Sequence, residues 1–600
     1  MLPKFDPANH KACLSVLEDV TTNAKQIQDS VLEAILSRNA KTEYLRGFLK
    51  GKFDKQSFKK NLPVITYEDY RSYIDRIANG ESFDIICDRP ITVLLVSSGT
   101  SGGVPKLIPL TAEDMEQRNL HIKGLSEGKS LLFYFLTKES ETASRIPVRT
   151  MITCVLKSVT PANKFIWYTF APGELLSATT VSLLERIQIS PIEIATCPDT
   201  TQSMYCQLLC GLIQRGNVSR LGAPFASSFL KVINFLGDHW SELCSNIKTG
   251  HVSPWIKDAQ CLSGISKFLS APNPELASII EKECSKTSWE AIVRRLWPNA
   301  KCIEAVVTGS MSQYIPMLEF YGGGLPVISL FYGSSECLFG LNVNPLCKPC
   351  DVSYTTVPSM AYFEFLEVKK DQEAGHDPLV NPVVIDLVDV KVGHDYEPVV
   401  TTFSGLYRYR LGDVLRVTGF YNNAPQFHFV GRNKVVLSID MDKTYEEDLL
   451  NAVTNAKLLL EPHDFVLIDF TSRVDFSSYP GHYVLYWELG SKVKDKKIEP
   501  ERKVLEECCF TVEESLDSVY RKGRKNDKNI GPLEIKVVRR GAFDELMSFF
   551  VSRGTSVSQY KTPRSVKNEE ALKILEATVV SKSFSRKVPS WELHELHSSR

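Results

Sequence analysis

The run from residue 97 to residue 106 carries many groups that can hold an anion. It reads Ser-Ser-Gly-Thr-Ser-Gly-Gly-Val-Pro-Lys. Glycines let the backbone approach a ligand closely, and consecutive N–H groups of such a turn, together with the hydroxyls, form an anion-binding nest. The run is not a Walker A loop, because Lys106 is followed by Leu107 instead of Ser or Thr. We therefore expect a phosphate-binding loop, with a glycine-rich turn that binds no ligand as the alternative.

The same run contains a match to the nucleophile elbow of serine hydrolases. Residues 99–103 read Gly-Thr-Ser-Gly-Gly and fit the Gly-x-Ser-x-Gly pattern. That elbow requires a helix directly after the serine, whereas Val104-Pro105 and a strand-like stretch follow here. The pattern therefore disfavours a hydrolase.

Two later segments each place an acidic residue after a tight turn. Residues 331–336 read Phe-Tyr-Gly-Ser-Ser-Glu, where Tyr332 can stack on a base and Glu336 can bind a magnesium ion that bridges phosphates. Residues 407–413 read Tyr-Arg-Tyr-Arg-Leu-Gly-Asp, where Asp413 can accept both ribose hydroxyls. Taken singly, the first could be a strand end with a solvated Glu, and the second an amphipathic strand with outward arginines.

The elements around these segments indicate an α/β fold. Short apolar runs predict strands over residues 91–96 and 106–110, one on each side of the glycine-rich run. Thr111 and Asp114 predict a helix N-cap pair directly afterwards. Further along the chain, helices are predicted over 203–213 and 227–236, and strands over 305–308 and 326–331.

The N-terminal and C-terminal parts of the chain differ in their predicted secondary structure. Residues 12–50 are predicted to be helical, because Ile27, Val31 and Ile35 repeat on one face. After residue 360 the pattern becomes β-rich, with strands predicted over 362–366, 383–390, 398–402, 407–417 and 426–430. From the turn at residues 431–434 onward we expect a smaller α+β domain, with helices over 446–460, 508–520 and 544–552 and strands over 483–489 and 535–538.

Composition excludes several classes of protein. A chain of 600 residues is too long for one hydrophobic core. A formal net charge of −1 gives no support to a nucleic-acid partner. No apolar run reaches the roughly 18 residues needed to span a bilayer, and the charged start of the chain lacks the apolar region of a signal peptide.

We therefore expect a cytoplasmic protein whose fifteen cysteines are reduced. Cys347 and Cys350 form a lone Cys-x-x-Cys pair without the second pair that a structural zinc site needs.

In this order and at these separations, SSGTSGG, YGSSE and YRLGD resemble the signature of the adenylate-forming enzyme superfamily. Within it, the chain closely resembles the plant acyl acid amido synthetases, the auxin-responsive Gretchen Hagen family, along its whole length. The segments that carry the resemblance include LSRNAKTEYLRGFL, PDTTQSMYCQLLCGL, RLGAPFASSFLK, RLWPNAKCIEAVVTGSM, YRYRLGDVLRVTGFYNNAPQFHFVGR, LSIDMDKT and SQYKTPR.

The resemblance implies an architecture and a reaction. The architecture is a large N-terminal adenylation domain over residues 1–431, with a β-rich core, and a mobile α+β lid domain over residues 432–600. The reaction is a carbon–nitrogen ligation in which ATP and a small auxin-like or benzoate-like acid give acyl-AMP and pyrophosphate. An amino acid then attacks to give the amide and AMP. ATP and Mg²⁺ are the implied cofactors, and nothing in the sequence demands more than a monomer.

The resemblance also implies roles for individual residues. Ser97, Ser98, Thr100, Ser101 and Ser335 are implied to bind the nucleotide, the first four through phosphate oxygens. Tyr332 is implied to pack beside adenine, Asp413 to bind the ribose, and Glu336 to bind magnesium. Lys561 resembles the lid lysine that meets the α-phosphate during adenylation. The acyl group is implied to lie near Thr308, Ser310 and Met311, with Arg118 as a candidate partner for the acid.

Two departures from the family pattern keep an alternative open. The stretch between Thr111 and Gly128 is shorter than in the relatives, in which a longer helix lines the acyl pocket, and Ile192 stands where relatives have a polar residue. The alternative is therefore a catalytically impaired paralogue that acts as a binding protein. An acyl-CoA synthetase is a third hypothesis, which the SQYKTPR segment disfavours. The sequence does not identify the acid or the amino acid, because pocket side chains come from distant segments.

Overall fold

The computed structural model of the chain describes residues 10–96, 106–120, 149–152, 159–162, 165–168, 189–195, 197, 199–368, 383–432, 435–439, 442, 444–478, 480–491, 500–553, 555 and 560–590. The described residues up to Val430 form one compact unit, and those from Gly431 onward form a second. Helices and strands occur in both units, so the predicted mixed α and β fold class is confirmed.

The helices are α1 (His10–Thr22), α2 (Ala24–Arg38), α3 (Glu43–Leu49), α4 (Lys55–Asn61), α5 (Tyr67–Ala78), α6 (Ala112–Leu120), α7 (Ile192–Ala195), α8 (Thr200–Ile213), α9 (Ala226–Thr249), α10 (Ala259–Ser266), α11 (Pro274–Cys284), α12 (Ile292–Leu296), α13 (Ile315–Gly322), α14 (Glu446–Lys457), α15 (Arg502–Ser515), α16 (Ser518–Lys522), α17 (Ala542–Ser552) and α18 (Glu569–Ala577). None of these helices is long and apolar enough to cross a membrane.

The strands are β1 (Ile91–Val96), β2 (Leu107–Thr111), β3 (Arg149–Ile152), β4 (Val159–Ala162), β5 (Phe165–Tyr168), β6 (Val218–Phe225), β7 (Cys302–Val306), β8 (Val327–Ile328), β9 (Phe331–Gly333), β10 (Leu338–Leu341), β11 (Tyr354–Thr356), β12 (Tyr362–Glu367), β13 (Val384–Asp386), β14 (Asp395–Thr401), β15 (Tyr409–Arg410), β16 (Asp413–Tyr421), β17 (Ala424–Arg432), β18 (Val435–Leu437), β19 (Thr444–Tyr445), β20 (Phe465–Asp475), β21 (His482–Ser491), β22 (Glu534–Val538) and β23 (Val579–Phe584).

Three sheets build the first unit. One has the order β2-β1-β5-β4, and a second has the order β3-β6-β7-β8 with all neighbours parallel. The third runs β13-β12-β14-β16-β17-β11-β10-β9, with β15 paired to β14. The parallel sheet obeys the rule that parallel strands need long crossovers, because α9 to α12 lie between β6 and β7 in the chain.

The N-terminal helices cover part of the large sheet. Val31 and Ile35 of α2 are buried, as their spacing predicts, and join one core with residues of β12. Gln28 lies in this apolar contact, and its side-chain amide is fully engaged. It donates to the carbonyls of Pro358 and Ala361 at 2.6 and 2.7 Å and accepts from the N–H of Phe363 at 2.8 Å. The buried amide therefore fixes the position of α2 against the sheet without leaving a polar group unsatisfied.

The second unit is a four-stranded sheet with helices. Its order is β20-β21-β22-β23, in which the central pair is parallel and the outer pairs are antiparallel. Helices α14 and α15 share one buried core with this sheet, and α17 and α18 share another. The α+β character predicted for the region is confirmed.

Candidate active site

Tyr332 and Asp413 come together although they are far apart in the sequence. Tyr332 lies in the short strand β9 and Asp413 is the first residue of β16, and both are buried. The Tyr332 hydroxyl donates to Asp413 Oδ2 at 2.5 Å. The Tyr332 ring packs against the rings of Phe339, Tyr354 and Phe429, with centroids 5.3 to 5.9 Å apart. Two of the three signature segments therefore meet through a charge-assisted hydrogen bond on an aromatic platform.

Arg118 joins α6 to the turn that follows β9. Its Nη1 donates to the carbonyl of Ser335 at 2.8 Å, and its Nη2 donates to the carbonyl of Glu336 at 2.5 Å. Asp114, one helical turn earlier, accepts from Nη2 at 3.4 Å and from the Ser404 hydroxyl at 2.7 Å. The guanidinium is buried, with a side chain only 9% exposed. Arg118 therefore holds the backbone at Glu336 in a fixed place.

Glu336 is a buried residue that is only 8% exposed. Its carboxylate forms no ion pair or hydrogen bond with the residues that the structure describes, although Arg118 holds its own carbonyl. A carboxylate that has no protein partner, on a residue that is largely buried, is available to bind a metal ion. The donor is a hard oxygen, which fits Mg²⁺.

Burial raises the pKa of the neighbouring Cys337 thiol to about 12, so that thiol stays protonated and unreactive at neutral pH.

The predicted acyl-site segment turns sharply after β7. Thr308 is buried, and its hydroxyl lies 3.3 Å from the hydroxyl of Tyr354, which is also 2.7 Å from the Ser329 hydroxyl. Burial raises the pKa of Tyr354, so the phenol stays neutral and can donate. Gly309 has φ +59°, and a Cβ there would lie 2.6 Å from the Phe429 ring. Residues 309–314 then form a short 3₁₀ helix that contains Ser310 and the buried Met311.

Chains of contact connect these segments. Arg118 contacts Ser335 and Glu336, which follow Tyr332 in the chain. Tyr332 forms a hydrogen bond with Asp413, and its ring packs against Tyr354. Tyr354 in turn contacts Thr308. The structure thus gathers Arg118, Thr308, Tyr332, Glu336 and Asp413 into one cluster.

The arginines of the third segment do not point outward. Arg408 is buried, donates to both carboxylate oxygens of Glu364 at 2.9 and 3.2 Å, and donates to the carbonyls of Lys59 and Leu62. Arg410 makes a two-point pair with Glu397 at 2.9 and 2.5 Å. Both pairs cross between elements, so these arginines position the turn at Gly412 that precedes Asp413. The alternative interpretation of this segment, as an amphipathic strand with outward arginines, is therefore wrong.

Lys561 lies in the second unit on a segment that is fixed to β20. The Thr562 hydroxyl donates to Asp469 Oδ2 at 2.5 Å, and the buried Arg564 donates to Asp469 Oδ1 at 2.9 Å. The hydroxyls of Thr471 and Ser472 donate to the carbonyls of residues 563 and 564. Lys561 itself is half-buried. The segment from Tyr560 to Val566, here called the lysine strap, is therefore held in place directly after Lys561.

Several predicted features lie outside the described residues. They are Ser97, Ser98, Thr100 and Ser101, together with most of the stretch between Thr111 and Gly128. The part that is described bears out one local prediction, because the N–H of Asp114 donates to the Thr111 hydroxyl at 3.1 Å at the start of α6. Ile192 is the half-buried first residue of α7.

Three family models match the chain. The GH3 family N-terminal domain matches residues 13–327, the GH3 family central domain residues 354–432, and the GH3 family C-terminal domain residues 447–570. The chain belongs to the GH3 family. The resemblance inferred from the three signature segments is therefore confirmed.

GH3 relatives resemble this chain over its full length. It is 75% identical to the indole-3-acetic acid-amido synthetase GH3.15 of Arabidopsis thaliana over 100% of both chains. It is 50% identical to the 4-substituted benzoates-glutamate ligase GH3.12 of Arabidopsis thaliana, over 95% of this chain and 97% of that one. A solved structure of the AtGH3.15 acyl acid amido synthetase in complex with 2,4-DB aligns with a TM-score of 0.88 at 70% identity, covering 99% of this chain and 100% of that one.

Sequence reasoning missed three GH3 side chains that shape the cluster. The Tyr354 hydroxyl contacts the Thr308 hydroxyl, the Ser329 hydroxyl contacts that of Tyr354, and Phe429 fills the space beside Gly309. Tyr354 and Phe429 lie in strands β11 and β17, whose pairing brings them near each other, and Ser329 lies just after β8. In the sequence, Gly309 was the one residue of this turn that indicated a close approach by a neighbouring side chain.

Proposed function

We propose that the protein activates a small carboxylic acid with ATP as an acyl-adenylate and joins it to an amino acid as an amide. The observation that carries the proposal is the buried residue Glu336, whose backbone carbonyl Arg118 holds in the segment that also contains Tyr332, the hydrogen-bond partner of Asp413. Relatives of high identity are named amido synthetases or ligases, so the predicted enzyme class, an acid–amino acid ligase, is confirmed.

The alternatives are weaker. An impaired paralogue is disfavoured because the chain is 75% identical, over its whole length, to a named amido synthetase. It also keeps Glu336, Asp413 and Lys561. An acyl-CoA synthetase is disfavoured because the relatives of 50% identity or more are named for amide formation.

Adenylation turns a poor leaving group into a good one. A carboxylate oxygen of the acid attacks the α-phosphorus of ATP, the bond to the bridging oxygen breaks, and pyrophosphate leaves. The amine of the amino acid then attacks the acyl carbon, AMP leaves with the carboxylate oxygen, and the nitrogen loses a proton. Both steps build negative charge on phosphate oxygens, so a site that places donors and a cation there lowers the barrier.

The chain's own residues divide this work. Asp413 accepts the ribose hydroxyls and Tyr332 both orients Asp413 and packs beside the adenine. Glu336 is the residue that would hold Mg²⁺, whose chemistry is to neutralise charge on the phosphates. Arg118 keeps the Glu336 turn in place, and its three contacts within the protein favour this role over direct binding of the acid. Thr308, Ser310 and Met311 bind the acyl group, and Ser335 binds the nucleotide.

Two further roles rest on the family resemblance. Ser97, Ser98, Thr100 and Ser101 hold phosphate oxygens through the glycine-rich loop. Lys561 meets the α-phosphate during adenylation, and residues 432–600 act as a lid over the adenylation domain of residues 1–431. The fixed lysine strap supports this, because a lysine that must reach one phosphate needs a rigid base.

The substrate is an aromatic acid of the auxin-like or benzoate-like class. Relatives named for indole-3-acetic acid and for 4-substituted benzoates support this class. The acceptor is an amino acid, and the protein acts as a monomer in the cytoplasm. The thirteen cysteines between Cys87 and Cys509 whose side chains the structure describes are free, which fits a reducing compartment.

Pyrophosphate release tests the proposal. The purified chain is incubated with ATP, Mg²⁺ and a panel of indole alkanoic acids and benzoates, with and without mixed amino acids. We expect release with at least one acid and a mass-spectrometric amide product only when amino acids are present. Binding of ATP without release for any acid would instead support the impaired paralogue, and a thioester formed with coenzyme A would support the third hypothesis.

A further inference from the structure

Three potential metal ligands meet where two helices of the first unit begin. Cys197 lies just before α8, Asp258 is the N-cap of α10, and Cys261 is in the first turn of α10. One ligand atom of each, two thiol sulfurs and a carboxylate oxygen, lies within 4.8 Å of both others. None of the three has a part in the adenylation chemistry proposed above.

The protein holds this group in a fixed geometry. Asp258 Oδ1 accepts the N–H groups of Gln260 at 2.9 Å and Cys261 at 3.0 Å, which orients the carboxylate. The N–H of Asp258 donates to Gln202 Oε1 at 2.9 Å, while Gln202 Nε2 donates to Asp199, the N-cap of α8. The two hydrogen bonds to the Asp258 carboxylate orient it as a metal ligand, and the bonds of Gln202 hold the starts of the two helices together.

Burial surrounds the two thiols with apolar groups. Cys197 and Cys261 are 0% exposed, and both are part of the core of this unit. A third buried thiol, Cys206 of α8, contacts the Cys261 thiol, and Asp258 contacts the Cys197 thiol. Asp258 is half-buried, so the group has a polar side from which a cation can enter.

We propose that Cys197, Cys261 and Asp258 bind one Zn²⁺ ion that ties the start of α8 to the start of α10. Two thiolates and a carboxylate carry three negative charges, which suit a divalent cation, and thiolate sulfur selects zinc over magnesium or calcium. In a tetrahedral zinc–thiolate site two sulfurs lie about 3.7 Å apart. The observed separations of up to 4.8 Å need only a small closure of the side chains.

The chemistry of the step is an exchange of protons for a cation. Each thiol loses its proton when its sulfur binds zinc, so binding of one Zn²⁺ releases two protons from Cys197 and Cys261. Burial raises the pKa of Cys197, and contact with Cys206 is the largest cause that raises the pKa of Cys261. Affinity for zinc should therefore increase with pH. No electron moves, so no oxidant is required.

Cobalt(II) tests the site because its thiolate complexes absorb in the near ultraviolet. The full-length chain, reduced and stripped with a chelator, is titrated with Co²⁺ and then with Zn²⁺. We expect one equivalent of Co²⁺ to give a thiolate charge-transfer band that Zn²⁺ removes. All variants are made in a Cys350→Ser background, since Cys350 is exposed and could bind cobalt with Cys347.

Three variants decide the outcome. Cys197→Ser should abolish the band, and Asp258→Asn, which keeps an acceptor for the helix cap, should weaken cobalt binding at least about 10-fold. Cys302→Ser is the matched control, since Cys302 is equally buried and belongs to another cluster. An absent band in the parent chain, a band that survives Cys197→Ser, or equal loss in Cys302→Ser would each overturn the proposal. A Cys197–Cys261 disulfide in place of metal binding would overturn it as well.

Discussion

Glu336 is the residue on which the proposed chemistry depends most. Its side chain is largely buried, and within the described part of the chain its carboxylate has no partner. Replacing Glu336 by Gln removes the charge but keeps the size. We expect pyrophosphate release to fall by on the order of 10²-fold, because a metal ion contributes several kcal/mol to stabilising the phosphate charge.

The measurement is the rate of pyrophosphate release as Mg²⁺ is varied. Glu319→Gln, at an exposed position of α13 in the same unit, is the control and should leave the rate unchanged. A Glu336→Gln enzyme with the same rate and the same Mg²⁺ dependence as the parent would contradict the assignment.

Arg118 separates two roles that the sequence could not distinguish. If it positions the Glu336 turn, then Arg118→Lys, which cannot reach both carbonyls and Asp114, should raise the Mg²⁺ concentration needed for half-maximal rate roughly 10-fold. If it binds the acid, the KM for the acid should rise instead. Arg38→Lys is the control, because Arg38 also contacts α6, through Glu113.

Gly309 supports the acyl-site turn by its lack of a side chain. Ala at this position has to adopt φ +59° and would also meet the Phe429 ring at 2.6 Å. We expect Gly309→Ala to lower the melting temperature and to slow adenylation. Gly393→Ala has a comparable backbone cost at φ +84° but meets nothing within 4 Å. The difference between the two variants by thermal unfolding measures the contact with Phe429; equal losses would show that only the backbone matters.

Among the elements, the lysine strap makes the most specific claim. Asp469 accepts from both Thr562 and Arg564 on either side of residue 563, and Arg564 is buried. Asp469→Asn leaves the guanidinium charge without its partner, which costs about 3 to 5 kcal/mol in buried pairs. We therefore expect Asp469→Asn to lower the stability of the second unit and to slow adenylation. Lys561→Met should also slow adenylation, but it should leave the stability unchanged.

Thermal unfolding and pyrophosphate release, measured on the same samples, check this expectation. Glu570→Gln is the control, because its pair with Arg553 is exposed on both sides and worth little. Full adenylation activity in Lys561→Met would show that the strap has only a structural role.

The boundaries of the strands and helices show where the sequence was sufficient to predict local structure. The strands on both sides of the glycine-rich run and the helix cap at Thr111 follow from local pattern and were confirmed. The run from 326 to 331 was predicted as one strand, but it is split between β8 and β9 in two different sheets. The carbonyls of Ser329 and Leu330 bond instead to the side chain and N–H of Asn342. Tertiary contacts of this kind leave no periodic signal.

A second boundary shows the same limit. Residues 508–520 were predicted as one helix, whereas α15 ends at Ser515 and α16 begins at Ser518. Asp517 accepts the N–H of Tyr520 at 2.8 Å and so caps a new helix. The cap residue was visible in the sequence, but apolar periodicity continues through it and concealed the break.

At the scale of the whole molecule, the sequence predicted the segments that the structure brings together better than it predicted the contacts of each side chain. Tyr332 and Glu336 were predicted because a strand ends there in a small-residue turn, and Asp413 because it follows a glycine turn; their roles stay predictions. The task of Arg118 could not be found, since its carbonyl partners lie 217 and 218 residues away. The buried pairing of Arg408 with Glu364 was missed for the same reason, because charge patterns along a chain do not show partners across it.

The central claim is that the acid passes through an acyl-adenylate, and isotope transfer tests it most directly. The acid is labelled with ¹⁸O in its carboxylate, and the reaction is run with ATP, Mg²⁺ and the preferred amino acid. Attack of that oxygen on the α-phosphorus predicts one ¹⁸O in each AMP released and none in pyrophosphate. An AMP without label, or label in phosphate or pyrophosphate instead, would contradict the acyl-adenylate route.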